Sequence, residues 1–230
     1  MSIESNIASI RQRIGQACEH ARRDPAEVSL MAVSKFHPAQ SVCEAAEAGI
    51  TLFGENRVQE GKLKIPQCPS SLHWHLIGHL QSNKCRDAVH CFEMVQSVDS
   101  YALAEELNRM AEKQYKSLPV LLEVNIAGEA TKFGYKPEEV LNDLERLNTL
   151  SRLEIHGLMA IPPWAADPEK TRPMFRCLAD LKKQCEDQLG APLPVLSMGM
   201  SDDFEVAIEE GSTLVRIGTA IFGARPKKGV

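Results

Sequence analysis

Short apolar runs alternate with helix-like segments along almost the whole chain, and this rhythm constrains the fold more than any other feature. The runs are apolar throughout, which is typical of parallel strands that are buried on both faces. Eight of them occur in the 230 residues, at 28–34, 51–53, 73–77, 92–98, 119–125, 153–159, 195–197 and 213–217. Eight β-α units in roughly 200–250 residues predict an α/β fold, a single (β/α)8 TIM barrel. A doubly wound open sheet is the alternative, because counting strands does not show whether the sheet closes.

An extra helix precedes the first run. Its apolar residues recur every three or four positions, at Ile3, Ile7, Ile10 and Ile14, which predicts an amphipathic helix. The pattern changes after Pro25, and no linker-like or low-complexity segment divides the chain. We therefore expect one domain over 1–230, with an N-terminal helix in 1–24 and the barrel in 25–230.

Charge and cysteine usage exclude several classes of protein. A net charge of -5 argues against nucleic acid or an anionic membrane as the main partner. The seven cysteines contain no C-x-x-C pair, so they indicate neither a disulfide framework nor a zinc knuckle. The N-terminus lacks the layout of a signal peptide, and no apolar run is long enough to span a bilayer. We expect a cytoplasmic protein.

Lys35 closes the first apolar run and is the sharpest candidate for chemistry. Strand alternation puts it on the same face as Met31 and Val33. A lysine that points into an apolar barrel is desolvated, which lowers its pKa and makes its amine a nucleophile. Periodicity alone favours the other interpretation, a lysine just past the strand that extends to water.

The last two strands end in small and hydroxyl-bearing residues that suit an anion. Gly218 and Thr219 can present backbone N–H groups to a phosphate, and the hydroxyls of Thr219 and Ser201 add donors. Asp202 and Asp203 repel an anion, and we expect Ser201 or Asp202 to cap the next helix. The pattern indicates a phosphate site of the kind that barrels build after strands seven and eight.

Arg216 and a group of histidines are further candidates. Arg216 faces the barrel interior by alternation and must have a partner, either a core carboxylate such as Glu123 or a ligand. His73 and His75 share a strand face, with His79 beyond, but no carboxylate pair or H-E-x-x-H pattern accompanies them. We expect these histidines to form hydrogen bonds and not to hold a metal.

Several motifs, in order along nearly the full chain, resemble the pyridoxal-5′-phosphate homeostasis proteins (the YggS/PROSC family). They are the segments 32–35 (AVSK), 53–60 (FGENRVQE), 74–84 (WHLIGHLQSNK), 157–161 (GLMAI), 196–203 (LSMGMSDD) and 211–225 (GSTLVRIGTAIFGAR). Several long motifs together are far more specific than any one of them. The resemblance implies a single barrel like the N-terminal domain of alanine racemase that carries pyridoxal 5′-phosphate (PLP).

The resemblance also implies roles for individual residues. Lys35 matches the lysine that holds PLP as an aldimine, and Arg216 matches the arginine that faces the pyridine nitrogen. The positions that match phosphate contacts are Ser201, Gly218 and Thr219, and Asn56 matches a residue beside the cofactor. Phe36-His37 departs from the commoner Thr-Lys, which leaves no second lysine directly after Lys35.

The family's role predicts a PLP carrier or regulator in intracellular PLP homeostasis, with PLP-dependent apo-enzymes as possible recipients and a monomeric state. An arginine at the ring nitrogen keeps that nitrogen unprotonated and weakens the electron sink that PLP enzymes use. The sequence ends at Val230, so we expect no second domain that would supply a catalytic tyrosine. The alternatives are a weak racemase or transaminase acting on small amino acids, and a Schiff-base aldolase that uses Lys35 on a sugar phosphate.

Overall fold

The computed structural model describes residues 2–129 and 131–224. Its strands form one closed parallel barrel in the order β1 to β8, with β1 paired to β8. The strands are β1 (Ser29–Val33), β2 (Leu52–Glu55), β3 (His73–Leu76), β4 (Met94–Val98), β5 (Leu118–Glu123), β6 (Leu153–Met159), β7 (Val195–Ser197) and β8 (Leu214–Ile217). The predicted (β/α)8 barrel is confirmed, and closure between β1 and β8 rules out the open doubly wound sheet.

Helices surround the barrel and connect its strands. They are α1 (Ile3–Ala21), α2 (Ala39–Glu47), α3 (Val58–Lys64), α4 (Cys85–Cys91), α5 (Tyr101–Lys113), α6 (Pro137–Asn148), α7 (Arg172–Leu189), α8 (Phe204–Glu209) and α9 (Thr219–Phe222). Short 3-10 helices lie at Pro25–Glu27, Ile65–Gln67, Ser82–Lys84 and Pro168–Thr171. Within the described ranges, no helix is both long enough and apolar enough to cross a membrane.

The N-terminal helix α1 packs onto the last two helices. Its first turn is capped by the Ser2 hydroxyl, which accepts the N–H of Ser5. The Asn6 side chain donates to the Ile221 carbonyl of α9 at 2.9 Å, and Arg13 pairs with Glu205 of α8 at 2.6 Å. The predicted extra helix therefore packs against the C-terminal part of the barrel, at α8 and α9.

The core has two layers. The large outer layer lies between the sheet and the helices, and Phe53 of β2 stacks there on Trp74 of β3, with 5.3 Å between ring centroids. The inner layer, inside the barrel, consists of two small apolar clusters. One contains Met31, Val33, Ile77 and Leu214, and the other contains Met94, Leu121 and Met159. The barrel interior is therefore filled by side chains.

Two register shifts interrupt the barrel's hydrogen-bond ladder. One lies in β4 between Val95 and Val98, opposite β5, and the other lies where β5 pairs with β6. Gly157 of β6 has a φ of +156°, and a Cβ at this position would overlap the Val195 carbonyl. Bulges of this kind turn side chains locally, and the β4 shift falls at Gln96, whose side chain enters the interior.

Candidate functional site

A cavity of about 180 Å³, which we call the upper cavity, opens at the mouth of the barrel where the strands end. All six predicted site residues line it: Lys35, Asn56, Ser201, Arg216, Gly218 and Thr219. A larger cavity of about 710 Å³ lies at the opposite mouth, among residues that begin the strands, and it is lined by none of the six. Because barrels place ligand chemistry at the carboxyl ends of their strands, the smaller cavity is the candidate site.

Lys35 lies two residues beyond the end of β1, and its half-buried side chain lines the cavity. Val33, the last residue of β1, also lines the cavity and packs inside the barrel against Met31. The Ser34 N–H donates to the Gly54 carbonyl at 3.1 Å and so extends the pairing with β2 by one residue. Strand alternation thus continues as far as Lys35, which lies at the inner wall of the mouth and not on the outer surface.

A buried cation holds the peptide group before Lys35 from the outer side of the sheet. Nζ of Lys64, at the end of α3, donates to the Ser34 carbonyl at 2.8 Å and to Oε1 of Glu55 at 2.6 Å. The Ser34 hydroxyl donates to the same carboxylate oxygen at 2.6 Å. Burial raises the pKa of Glu55, and the hydrogen bond and charge of Lys64 oppose that rise.

The peptide group after Lys35 is held by the same assembly. Oε1 of Glu60 accepts the Phe36 N–H at 2.6 Å and also receives Lys64 Nζ at 3.1 Å. Phe36 has a φ of +68°, a left-handed conformation that a bulky side chain rarely adopts. We refer to Ser34, Glu55, Glu60 and Lys64 as the Lys64 cluster. The sequence analysis missed it; its only local signal is the i,i+4 spacing of Glu60 and Lys64.

The side chain of His37, two residues after Lys35, packs against helix α9. Its ring stacks on Phe222 of α9, with 4.9 Å between centroids. Burial lowers the pKa of His37, and the nearby charge of Lys64 lowers it further. Both effects favour the neutral imidazole, in keeping with the aromatic ring that it contacts.

Arg216 is 3% exposed and reaches the cavity from inside β8. Its Nη1 donates to the Ser197 hydroxyl at 2.6 Å and its Nη2 to the Ala160 carbonyl at 2.8 Å. Burial lowers the pKa of Arg216 to about 10, so it remains charged at pH 7. Of the two alternatives for its partner, the ion pair with Glu123 is not formed among the described residues, where the partners of Arg216 are a hydroxyl and a carbonyl.

Glu123 lies at the carboxyl end of β5 and contributes only a longer-range charge to Arg216. One of its carboxylate oxygens, Oε2, is buried without a hydrogen-bond partner among the described residues. Burial raises the pKa of Glu123 to about 7, the negative charge of Asp99 raises it too, and Arg216 lowers it. A carboxyl group of this kind is half protonated near neutral pH.

The predicted anion cradle comes from the segments that follow β7 and β8. Gly218 precedes α9, and a Cβ there would lie 3.3 Å from the Val33 carbonyl oxygen. The Ser201 hydroxyl oxygen accepts the Ala220 N–H at 3.3 Å, which ties the β7 loop to the β8 loop. Ser201, Gly218 and Thr219 thus meet on the β7–β8 side of the cavity, and β8 is the direct neighbour of β1, the strand that Lys35 follows.

The cap expected for the helix after β7 was wrong. Helix α8 begins at Phe204 with Asp203 at the capping position, so neither Ser201 nor Asp202 has that role. The Asp203 carboxylate instead accepts the Met200 N–H at 2.7 Å, within the turn. Asp202 lines the cavity, and its Oδ2 accepts the indole N–H of Trp164 at 3.3 Å. The two acids are thus held by separate donors.

Asn56 follows β2 and lines the cavity at the border of a neighbouring surface groove. Its backbone is approached closely by Gly78, where a Cβ would overlap the Asn56 carbonyl. Only glycine lets the loop after β3 pack against the loop after β2 at this distance. The position of Asn56 therefore depends on its neighbour across the sheet.

The three histidines of the third β-α unit lie apart. His73 pairs with Glu93 at 2.7 Å, His75 bonds to Gln96 at 2.9 Å, and His79 pairs with Asp99 at 3.0 Å. In residues 2–129 and 131–224, no group of three His, Cys, Asp or Glu side chains is placed to hold a metal ion. Each histidine therefore has its own hydrogen-bond partner. His73 lies at the start of β3, His75 lies within it, and His79 lies beyond its end.

The donor set of the cavity fits a small phosphorylated aldehyde with a ring nitrogen. It offers an amine, a buried guanidinium, and a side that combines hydroxyls with glycine backbone. Fold and site together define the class to which this chain belongs, the single-barrel domains of the alanine racemase type. A family model described as alanine racemase, N-terminal domain, matches residues 5–226.

Within that class, the chain belongs to the family of pyridoxal phosphate homeostasis proteins. It is 44% identical over 225 residues to the pyridoxal phosphate homeostasis protein of Pseudomonas aeruginosa, covering 97% of this chain and 96% of that one. It is 41% identical over 226 residues to the protein of the same name from Aquifex aeolicus, covering 98% and 99%. The resemblance noted in the sequence is thereby confirmed.

Solved structures agree with this assignment. PipY of Synechococcus elongatus, solved without PLP, superposes with a TM-score of 0.88 at 39% identity, over 96% of this chain and 100% of that chain. PipY with PLP bound gives a TM-score of 0.85 at 38% identity, over 96% and 100%. Alanine racemase of Clostridium difficile gives a TM-score of 0.73 at 17% identity and shares the fold; this chain spans 58% of it.

Proposed function

We propose that this protein binds PLP in the upper cavity and acts in PLP homeostasis as a carrier or regulator. The observation that carries the proposal is that one cavity is lined by Lys35, by Arg216 and by the anion cradle of Ser201, Gly218 and Thr219. The names of the relatives and the PLP-bound PipY structure support it. Each group matches one functional group of PLP: its aldehyde, its ring nitrogen or its phosphate.

Lys35 is the covalent attachment point in this proposal. Its amine nitrogen attacks the aldehyde carbon, a C=N bond replaces the C=O bond, and the carbonyl oxygen leaves as water. No electrons are gained or lost, so no oxidant or reductant is needed. The Lys64 cluster restrains the backbone on both sides of Lys35, which limits where the amine can go.

Arg216 sets the electronic character of the bound ring. A guanidinium donates hydrogen bonds and cannot accept them, so a ring nitrogen that faces it stays an unprotonated acceptor. Such a ring withdraws electrons less strongly than a protonated ring. The naming of the relatives as homeostasis proteins points the same way. We therefore propose a holding role without turnover, and not a racemase or transaminase.

The remaining site residues bind the cofactor without chemistry. Ser201, Gly218 and Thr219 would hold the phosphate through hydroxyl and backbone N–H groups, and Asn56 would lie beside the ring. The protein would act as one domain over 1–230, with the N-terminal helix in 1–24 and the barrel in 25–230. Arg225, the end of the last family motif, lies outside the described residues.

Absorption spectroscopy tests the covalent step. The purified protein with PLP should show a visible band that shifts on addition of an amine, and reduction with borohydride should fix one pyridoxyl group on the Lys35 peptide, read by mass spectrometry. Lys35→Ala should lose the band. Lys62→Ala is the matched control, because Lys62 pairs with Asp87 on the surface. A wild type as colourless as Lys35→Ala would overturn the PLP proposal and favour a sugar-phosphate aldolase.

Two further assays separate carrier from enzyme. Incubation of the PLP-loaded protein with small amino acids in D2O should give no exchange of the α-proton above that of free PLP, whereas a racemase or transaminase would exchange it. Mixing with a PLP-dependent apo-enzyme should restore that enzyme's activity if the protein delivers its cofactor. The proposal includes a monomeric state and a cytoplasmic location, which light scattering and cell fractionation measure.

A further inference from the structure

A chain of hydrogen bonds crosses the barrel interior from β3 to β8 and ends on Arg216. Gln96 Nε2 lies 2.9 Å from Nδ1 of His75, and the Ser197 hydroxyl lies 2.7 Å from Gln96 Oε1. Arg216 Nη1 then lies 2.6 Å from the Ser197 oxygen. Four strands (β3, β4, β7 and β8) each contribute one inward-facing residue. We call these four residues the interior chain.

The direction of every bond in the interior chain is fixed by its arginine. Arg216 can only donate, so the Ser197 oxygen accepts and the Ser197 hydroxyl hydrogen must point to Gln96 Oε1. That leaves the amide nitrogen of Gln96 to donate to His75 Nδ1. His75 therefore carries its proton on Nε2, and burial, which lowers its pKa to about 4, keeps it neutral.

The interior chain is buried where it approaches the site. Gln96 and Ser197 are both 0% exposed, and the register shift in β4 falls at Gln96. The chain runs from the β3–β4 side to the β7–β8 side. The inner apolar residues form two clusters, one on β1 and β8 with the loop after β3, the other on β4, β5 and β6. Because neither side chain reaches solvent, the polar groups of Gln96 and Ser197 must form their hydrogen bonds inside the barrel, which gives each side chain a single orientation.

Arg216 is consequently held along one edge of its guanidinium. Nη1 is bound by Ser197 and Nη2 by the Ala160 carbonyl. Its other N–H groups have no hydrogen-bond partner within residues 2–129 and 131–224, and the side chain lines the upper cavity. A planar donor fixed at one edge presents the rest of its donors in a set direction.

We propose that Ser197, Gln96 and His75 are positioning residues that aim Arg216 at the ring nitrogen of the ligand, and that they thereby set the selectivity of the site for a ring with a nitrogen acceptor. This inference rests on the proposed function, because it needs PLP in the upper cavity. Neither Gln96 nor His75 touches that cavity. Their effect on binding is exerted through Ser197 and Arg216.

The test compares PLP with 1-deaza-PLP, which has a C–H group in place of the ring nitrogen. Dissociation constants are measured for both ligands by absorption titration in the wild type, Ser197→Ala, Gln96→Met and Arg216→Met. Ser212→Ala is the matched control: its serine is also 0% exposed, but its hydroxyl contacts the Leu196, Met198 and Leu214 carbonyls outside the interior chain. The preference of each variant is the ratio of its two dissociation constants. Partial unfolding weakens the binding of both ligands equally and leaves this ratio unchanged.

The wild type should prefer PLP to the deaza compound by about tenfold or more, the size expected for one hydrogen bond to a charged group. Ser197→Ala and Gln96→Met should lower this preference toward that of Arg216→Met, and Ser212→Ala should keep it. A preference unchanged in both chain variants overturns the inference, as does a wild type that binds both ligands equally. A wild type that binds neither ligand would instead refute the PLP proposal.

Discussion

Replacing Lys64 by methionine tests whether the Lys64 cluster is a buried ion assembly that supports the site. Lys64 and Glu55 are 6% and 0% exposed, and their charged atoms lie 2.6 Å apart. Methionine keeps most of the side-chain volume and removes the charge. The Glu55 carboxylate would then retain the Ser34 hydroxyl as its only hydrogen-bond donor among the described residues.

The expected loss of stability follows from what Glu55 can do instead. Removing one partner of a buried pair destabilises by about 3–5 kcal/mol. Protonation limits this loss: holding the carboxyl neutral at pH 7, against its ordinary pKa of 4.5, requires about 3.4 kcal/mol at 1.36 kcal/mol per pKa unit. We therefore expect Lys64→Met to lower the free energy of unfolding by about 3 kcal/mol at pH 7.

The loss must also depend on pH, with a determined sign. A carboxyl whose pKa is raised in the folded state binds more protons there than in the unfolded state, so stability falls as pH rises from about 4.5 to the folded pKa. Burial already raises the pKa of Glu55 in the wild type, and removing Lys64 raises it further. The difference in the free energy of unfolding between variant and wild type should therefore increase from pH 5 to pH 8.

Urea unfolding of the ligand-free protein at pH 5, 7 and 8 measures this effect. Lys64→Met/Glu55→Gln should recover most of the stability, because no buried charge remains. Lys62→Met, two residues earlier on α3, removes an exposed pair with Asp87 and should change stability by less than about 1 kcal/mol. If Lys64→Met matches Lys62→Met, or if its loss does not vary with pH, the cluster is not the ion assembly described.

Three other substitutions test separate parts of the structure. Gly218→Ala has an allowed φ and a Cβ 3.3 Å from the Val33 oxygen; stability should change by less than about 1 kcal/mol, while PLP affinity in a titration should fall about tenfold as the cradle narrows. The raised pKa of Glu123, about 7, makes the wild type lose stability as the pH rises from 4.5 to about 7, and Glu123→Gln should remove this loss. Urea unfolding at pH 5 and pH 8 gives the fall in unfolding free energy for each protein, and that fall should be smaller in the variant by up to about 3 kcal/mol. Gly157→Ala would overlap the Val195 carbonyl at a φ of +156° and should lower the free energy of unfolding by more than about 3 kcal/mol, measured by thermal melting; a stable alanine variant would show that β6 and β7 can separate.

The strands could be predicted from the sequence because a buried parallel strand leaves a local signature. The run at 153–159 coincides with β6, and the run at 195–197 coincides with β7. The run at 92–98 begins two residues too early, since Phe92 is the C-cap of α4 and packs over Gly61. Closure of the barrel depends on pairing between β1 and β8, which are far apart in sequence, and no local pattern encodes it.

The candidate site was predictable only in part, for a similar reason. Lys35 follows an apolar strand, so alternation alone indicates its face. The residues after the last two apolar runs indicated Ser201, Gly218 and Thr219, and alternation indicated the face of Arg216. The family resemblance added Asn56 and supplied a role for each residue, and these roles remain predictions. The partners of Lys35 and Arg216 lie on other strands and helices, and a polar residue such as Gln96 within an apolar run does not reveal which neighbour it meets.

The two basic residues of the site, Lys35 and Arg216, are held from opposite sides of the barrel wall. The Lys64 cluster lies outside the sheet and holds the peptide groups next to Lys35, whereas the interior chain lies inside the sheet and holds the side chain of Arg216. Buried polar groups of this kind add little net stability, because desolvation offsets their attraction. Their effect is to reduce the number of orientations open to the lysine amine and the guanidinium before any ligand arrives. Under the proposed function, this order would increase the affinity for the cofactor, and substitutions in either assembly should therefore affect ligand retention more than the fold's architecture.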